Sequence, residues 1–165
     1  MEAEVGRRIH RVIAELVDRP EPVDAATVMA TVAALWRRDP VGGSVASSAR
    51  LRCSTSVAVY FNRFLPDATW EFAGCEVRLG RAVADLVWRR PADGTVVVDE
   101  LKSGAVDVTD RRVADQLGRL ASGGRARWAG RFAGVRLVPL GSPARTAMLD
   151  GYGRNVPVPA GMVPR

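Results

Sequence analysis

The order in which hydrophobic periodicity changes along the chain limits the folds it can adopt. Up to about residue 63 the apolar residues recur at helical spacing, whereas after Pro66 they alternate with polar residues. The predicted elements are helices at 3–18, 24–38 and 44–63, strands at 69–79, 81–90 and 95–102, a helix at 109–122 and a strand at 134–140. Strands this close in sequence share one sheet, so we expect an α/β fold with about four strands flanked by helices.

Local signals set most of these boundaries. Ser44 or Ser47 is a candidate cap for the third helix, although the run 57–61 is also compatible with a strand. Gly80 predicts a hairpin between the first two strands. Thr109 is a suitable N-cap for the fourth helix, and we expect Gly123-Gly124 to end that helix.

Length and composition indicate one domain, which we place at residues 1–140. Residues 141–165 are rich in proline and glycine and lack periodicity, so we expect a loosely packed tail. Cys53 and Cys75 are too few for a disulfide framework, a zinc site or an iron–sulfur cluster. The acidic start carries no apolar leader and no run is long enough to span a membrane, so we expect a cytoplasmic protein.

The positive charge of the chain is concentrated in one segment. The segment from Arg111 to Arg136 contains seven arginines and one acid, Asp115. It therefore accounts for the whole net charge of +6. Such a segment is either a face for a polyanion or a solvated helix surface. The candidate nucleic-acid-binding residues are Arg111, Arg112, Arg119, Arg125, Arg127 and Arg131.

The third predicted strand carries the only lysine among the 24 cationic Lys and Arg residues. Strand alternation places Glu100 and Lys102 on one face. On the preceding strand, Asp85 shares a face with Val83 and Val87, where an acid is costly to bury without compensation. Two carboxylates on neighbouring strands suit Mg²⁺ or Mn²⁺, and the alternative is a buried ion pair with an arginine.

Asp85 followed by Glu100-Leu101-Lys102 on the next strand resembles the PD-(D/E)XK nuclease superfamily. This resemblance implies a restriction-endonuclease-like core with a mixed sheet. Two further matches resemble the RecB-like and exonuclease V-like branch. Gly6-x-x-x-His10 is similar to its opening helix, and Gln116 is similar to the first residue of its Gln-x-x-x-Tyr motif, with Leu120 in place of the tyrosine.

The resemblance implies metal-dependent hydrolysis of nucleic-acid phosphodiesters, most simply of DNA, in repair, recombination or defence. Asp85, Glu100, the carbonyl of Leu101 and His10 would hold Mg²⁺ or Mn²⁺. Lys102 would act on the attacking water or the phosphate, and Gln116 would position Lys102 or the DNA. A helicase or another repair or defence protein is an expected partner, and no membrane is expected.

Two other interpretations stay open from the sequence. The first is a catalytically inactive nuclease-fold module that binds nucleic acid or docks on a partner, which the absence of any P-loop in the chain favours. The second is an unrelated helix-and-sheet domain whose basic segment binds an acidic protein. In that second case Asp85 and Glu100 would lie far apart.

Overall fold

The protein folds into one five-stranded mixed sheet with helices on both faces, as a computed structural model shows. The structure describes residues 2–40, 46–104, 106, 110–141 and 146–165. The helices are α1 (Glu2–Val17), α2 (Ala25–Arg38), α3 (Ala46–Val59) and α4 (Arg111–Trp128). The strands are β1 (Glu71–Leu79), β2 (Ala82–Arg89), β3 (Val96–Lys102), β4 (Phe132–Pro139) and β5 (Ala147–Leu149). No helix in these ranges is long and apolar enough to span a membrane.

The strands lie in chain order across the sheet. β1, β2 and β3 pair antiparallel, β3 pairs parallel with β4, and β4 pairs antiparallel with β5. A parallel pair needs a crossover connection, and α4 supplies it between β3 and β4. The predicted hairpin around Gly80 is confirmed, with Leu79 opposite Ala82.

The alternation predicted for β3 separates two hydrophobic clusters. Val97 and Leu101 pack in the cluster that includes α1, α2 and α3, whereas Val96 and Val98 pack with the apolar side of α4. Glu100 and Lys102 therefore belong to the α4 side of the sheet. Both side chains lie at the C-terminal end of β3, from which the chain continues to the start of α4.

Several predicted boundaries differ from the structure. Residues 57–61 are helical: α3 runs to Val59, and the five residues that follow it, Tyr60–Phe64, form a π-helical turn. Ser47 lies inside α3 and does not cap it, while Ser44 and Thr109 lie outside the described residues. Asp110 caps α4, since its carboxylate accepts a hydrogen bond from the N–H of Arg112.

The prediction that Gly123-Gly124 ends the fourth helix is wrong, because α4 continues to Trp128. A Cβ at Gly123 would lie 2.7 Å from the main-chain oxygen of Leu79, and a Cβ at Gly124 would collide with the ring of Phe132. The two glycines therefore permit close packing of α4 on the sheet, and packing outweighs their poor helix propensity.

The expectation of a loosely packed tail is also wrong. Residues 147–149 form β5, and Met162 is only 1% exposed. Main-chain oxygens of the tail accept hydrogen bonds from the body: Ala160 from the indole of Trp70, and Gly161 from the N–H of Asp67. Contacts of this kind produce no hydrophobic period, which explains why the sequence pattern missed them.

Arg136, the seventh arginine of the basic segment, is not part of a surface. Its guanidinium is fully buried and forms two hydrogen bonds to the carboxylate of Asp99, at 2.8 and 2.6 Å. It also donates to the main-chain oxygens of Met162 and Phe64. The indole N–H of Trp88 donates to Asp99 as well, at 3.0 Å. This network joins β3, β4, the π-helical turn and the tail.

Removal of one partner from this buried pair should strongly destabilise the protein. We expect Asp99→Asn or Arg136→Met to lower the free energy of unfolding by about 3–5 kcal/mol, because each leaves an uncompensated buried group. Urea unfolding followed by circular dichroism measures this loss. The control is Arg89→Met, which breaks the ion pair between Arg89 and Glu71. Both side chains of that pair are 56% exposed, so the loss of stability should be under about 1 kcal/mol. Equal losses in both pairs would contradict the account.

Candidate active site

The candidate site lies where the ladder between β2 and β3 ends. The last paired residues are Leu86 and Asp99, and beyond them the carboxylate of Asp85 accepts a hydrogen bond from the main-chain N–H of Leu101, at 2.7 Å. Asp85 is thereby fixed beside Glu100, the residue before Leu101. This contact contradicts the interpretation in which the two acids lie far apart.

Helix α1 brings His10 to the same place. Nδ1 of His10 lies 3.0 Å from Oδ1 of Asp85. A carboxylate only accepts hydrogen bonds, so Nδ1 is the donor. Gly6, one turn earlier, faces Ser103, and a Cβ there would lie 3.0 Å from the hydroxyl of Ser103. The small residue allows α1 to approach the end of β3 closely.

Glu100, Lys102 and Gln116 form a closed set of hydrogen bonds. The ammonium of Lys102 donates to Oε1 of Glu100 at 2.8 Å and to the amide oxygen of Gln116 at 2.7 Å. The amide nitrogen of Gln116 donates to the same Oε1 at 2.6 Å. Gln116 therefore holds the lysine and the glutamate in fixed relation, and it reaches them from the second turn of α4.

Glu100 is in an unfavourable environment for a charge. Its side chain is 3% exposed, and its Oε2 is buried without a hydrogen-bond partner among the described residues. Burial and the neighbouring charge of Asp85 raise the pKa of Glu100 to about 7, and Lys102 offsets only part of that rise. Buried polar atoms are rarely left unpaired, so this oxygen marks a position where a cation would be favourable.

The pKa of His10 moves in the same direction for a different reason. Burial lowers the pKa of the imidazole, but the hydrogen bond and the charge of Asp85 outweigh burial, and the pKa is raised overall. The site thus concentrates negative charge on Asp85 and Glu100, with one histidine and one lysine beside them.

The donor atoms fit a hard divalent cation. The carboxylates of Asp85 and Glu100 and a main-chain carbonyl at Leu101 match the oxygen preference of Mg²⁺ and Mn²⁺, and Oε2 of Glu100, which has no partner among the described residues, is available as a ligand atom. Within the described ranges, no three His, Cys, Asp or Glu side chains already converge to hold a metal. The groups are instead paired with one another, as His10 is with Asp85.

A cleft of about 610 Å³ opens beside Asp85 and His10. Its walls include Arg7 and Arg11 of α1, together with Glu76 of β1. No sequence motif pointed to these residues, although Arg7 lies three positions before His10 and Arg11 one position after it on the same helix. For Arg7 the signal was available in the sequence, because residues three apart are neighbours on the surface of a helix.

The arginines predicted to bind nucleic acid are all exposed, but they do not form one surface. Arg112 and Arg119 stand four before and three after Gln116, so they flank it on α4. Arg111 pairs with Asp115, and Arg127 donates to the main-chain oxygen of Arg78. Arg125 is turned to the other side of the helix, against Tyr152. Arg131 lies in the short turn after α4.

A protein-family model for the PD-(D/E)XK nuclease superfamily matches residues 1–120, nearly three quarters of the 165-residue chain. The match covers β1, β2 and β3 and the part of α4 that carries Gln116. The chain therefore belongs to the PD-(D/E)XK nuclease superfamily, whose members are generally nucleases that use divalent metals. No curated protein matches the chain.

The raised pKa of Glu100 predicts how stability depends on pH without metal. The folded protein holds the carboxyl proton of Glu100 more tightly than the unfolded chain does. The stabilisation that comes from this proton is therefore lost as the pH rises from 4.5, the usual pKa of a glutamate, to about 7. Glu100→Gln should remove this part of the loss, roughly 1.4 kcal/mol for each unit of pKa difference. Urea unfolding in EDTA across this range measures it.

Two features complete that experiment. The raised pKa of His10 also makes stability fall as the pH rises above 6.5, the usual pKa of a histidine. His10 remains in the variant, so the dependence of stability on pH should become shallower without vanishing. Glu71→Gln, at an exposed position of β1, is the control and should leave the slope unchanged. An unchanged slope in Glu100→Gln would show that Glu100 is not a strained buried acid.

Proposed function

We propose that the protein is a Mg²⁺- or Mn²⁺-dependent nuclease of the RecB-like branch, which hydrolyses phosphodiester bonds of DNA. The observation that carries the proposal is the buried Oε2 of Glu100, which has no hydrogen-bond partner in the part of the chain that the structure describes and lies beside the bonded set of Lys102 and Gln116. A purely structural glutamate would have its second oxygen satisfied, because an unsatisfied buried carboxylate oxygen destabilises the fold.

In this proposal Asp85, Glu100, the carbonyl of Leu101 and His10 hold the metal. When bound, the metal lowers the pKa of a water ligand and offsets negative charge on the scissile phosphate. Asp85 is oriented by its hydrogen bond from Leu101. Glu100 is oriented by Lys102 and Gln116, so its unpaired oxygen is the one left to meet the cation.

Counting the residues that the structure describes, Lys102 has one donor left for the substrate. An ammonium carries three N–H groups, and two of them are used on Glu100 and Gln116. The side chain is 25% exposed, so the third N–H can reach a phosphate oxygen or the attacking water from solvent. Fixed donors aimed at developing charge are a major source of catalytic acceleration. Gln116 is then a positioning residue for this lysine.

The cations around the site support a nucleic-acid substrate. Arg112 and Arg119 flank Gln116 on α4, and Arg11 stands on the wall of the cleft beside His10. Such side chains would contact the phosphate backbone and give affinity that depends on salt but not on sequence. Leu120, at the position of the branch tyrosine, is fully buried in the core, so it makes no such contact.

The proposal extends to the setting of the reaction. Repair, recombination and defence are the usual settings of the branch that the chain resembles, and helicases commonly accompany its domains. The 165 residues carry no P-loop of their own, and a helicase is the proposed partner.

Removal of the lysine should abolish cleavage. With Mn²⁺ and labelled single- or double-stranded DNA, we expect Lys102→Ala and Asp85→Ala to cut at least about 100-fold more slowly than the wild type. Gel analysis of the products measures the rate, and circular dichroism confirms that the variants fold. Glu71→Gln is the control and should cut at the wild-type rate.

Two outcomes would count against the nuclease. Wild-type rates in Lys102→Ala would show that the lysine has no catalytic role. A wild-type protein that binds DNA but never cuts it with either metal would instead identify the inactive binding module.

A further inference from the structure

A loop after β5 presents an exposed tyrosine in a fixed position. In this loop, Asp150–Arg154, one carboxylate oxygen of Asp150 accepts the N–H groups of Tyr152 and Arg154, at 2.9 and 3.0 Å. The other oxygen accepts the side chain of Arg154 at 2.8 Å, and the N–H of Gly153 donates to the carbonyl of Asp150. Tyr152 is 70% exposed at the tip of this tied loop.

Two guanidinium groups lie against the tyrosine ring. The central carbons of Arg125 and Arg154 are 4.5 and 5.2 Å from the ring centroid. Arg154 is paired with Asp150, whereas Arg125 forms no ion pair within the described ranges. Gly151 makes the approach possible, since a Cβ there would lie 2.8 Å from the Cβ of Arg125.

A surface cavity of about 550 Å³ adjoins the ring. It lies between the loop, the end of α4 and the start of β4, with the half-buried Phe132 on its wall. The cavity therefore offers aromatic and aliphatic surface with an uncompensated positive charge at its rim. We call Tyr152, Arg125, Arg154 and this cavity the Tyr152 surface.

The Tyr152 surface is separate from the candidate active site. Arg125 lies nine residues beyond Gln116, about 13.5 Å along α4 at 1.5 Å per residue, and half a turn round the helix from it. β5 is antiparallel to β4, so the loop after it lies near the start of β4, away from the end at which Lys102 lies.

We propose that the Tyr152 surface binds a single-stranded segment of nucleic acid, with an unpaired base stacked on Tyr152 and the neighbouring phosphates held by Arg125 and Arg154. Exposed aromatic rings beside cations are the recurring means of binding unpaired bases, whose faces are open to stacking. A duplex buries those faces between base pairs and offers only its backbone. The inference rests on the proposed function for the nature of the substrate, and it adds a preference for single strands.

The test is binding without cleavage. Fluorescence anisotropy in EDTA compares a labelled 20-nucleotide single strand with a labelled blunt-ended duplex of the same length. We expect Tyr152→Ala to weaken single-strand binding on the order of tenfold and duplex binding much less. Tyr152→Phe keeps the ring and should bind like the wild type. Arg125→Ala should weaken single-strand binding more than Arg111→Ala, which removes the same charge from an exposed position elsewhere on α4.

Three results would overturn the proposal. One is unchanged single-strand affinity in Tyr152→Ala. Another is an equal loss on single strand and duplex in Arg125→Ala and Arg111→Ala, which reports charge alone. The third is an equal loss of binding to labelled poly-glutamate in Tyr152→Ala, which identifies an acidic protein segment as the occupant. Failure of the nuclease proposal is distinguishable, because it appears as absent cleavage by the wild type and leaves these affinities unaffected.

Discussion

The buried ion pair between Asp99 and Arg136 holds together parts of the chain that are remote in sequence. The pair joins β3 to β4. The guanidinium of Arg136 also donates hydrogen bonds to the main-chain oxygens of Phe64 in the π-helical turn and of Met162 in the tail. The network lies on the α1 side of β3. Glu100 follows one residue later with its side chain on the α4 side, so the geometry of the candidate active site depends on where this network fixes β3.

Asp99 and Glu100 are neighbouring acids with opposite environments. Asp99 is fully buried and meets a bidentate arginine and an indole N–H, so its charge is compensated. Glu100 is almost as buried, yet one oxygen has no partner among the described residues and its pKa is raised to about 7. Complete compensation indicates a structural acid. Incomplete compensation at the end of the strand indicates an acid arranged to meet something from outside the chain.

Much of the site could be predicted because it depends on local periodicity. Alternation along β3 placed Glu100 and Lys102 together, and the resemblance to the Gln-x-x-x-Tyr motif singled out Gln116. In the structure the ammonium of Lys102 donates to both Glu100 and Gln116. The burial of Arg136 could not be predicted in this way. An arginine in a basic segment has the same sequence signature whether it faces water or a carboxylate from another strand.

The other errors have the same origin. Gly123 and Gly124 continue a helix because of what packs against them, and the tail is ordered by main-chain hydrogen bonds to side chains far away in sequence. Tertiary contacts of this kind override local propensity and are not visible in a periodic pattern. The Tyr152 loop is also of this type, since its significance comes from Arg125 on α4.

The central claim is that Asp85 and Glu100 together form a divalent-metal site, and direct binding of Mn²⁺ tests it most directly. Isothermal titration of the wild type, with Asp85→Asn and Glu100→Gln as variants, separates binding from catalysis. The account predicts saturable binding by the wild type and its loss in both variants. It also predicts that a 100-fold excess of Mn²⁺ over Kd stabilises only the wild type, by about 2.7 kcal/mol. Equal Mn²⁺ binding by all three proteins, or none by the wild type, would contradict it.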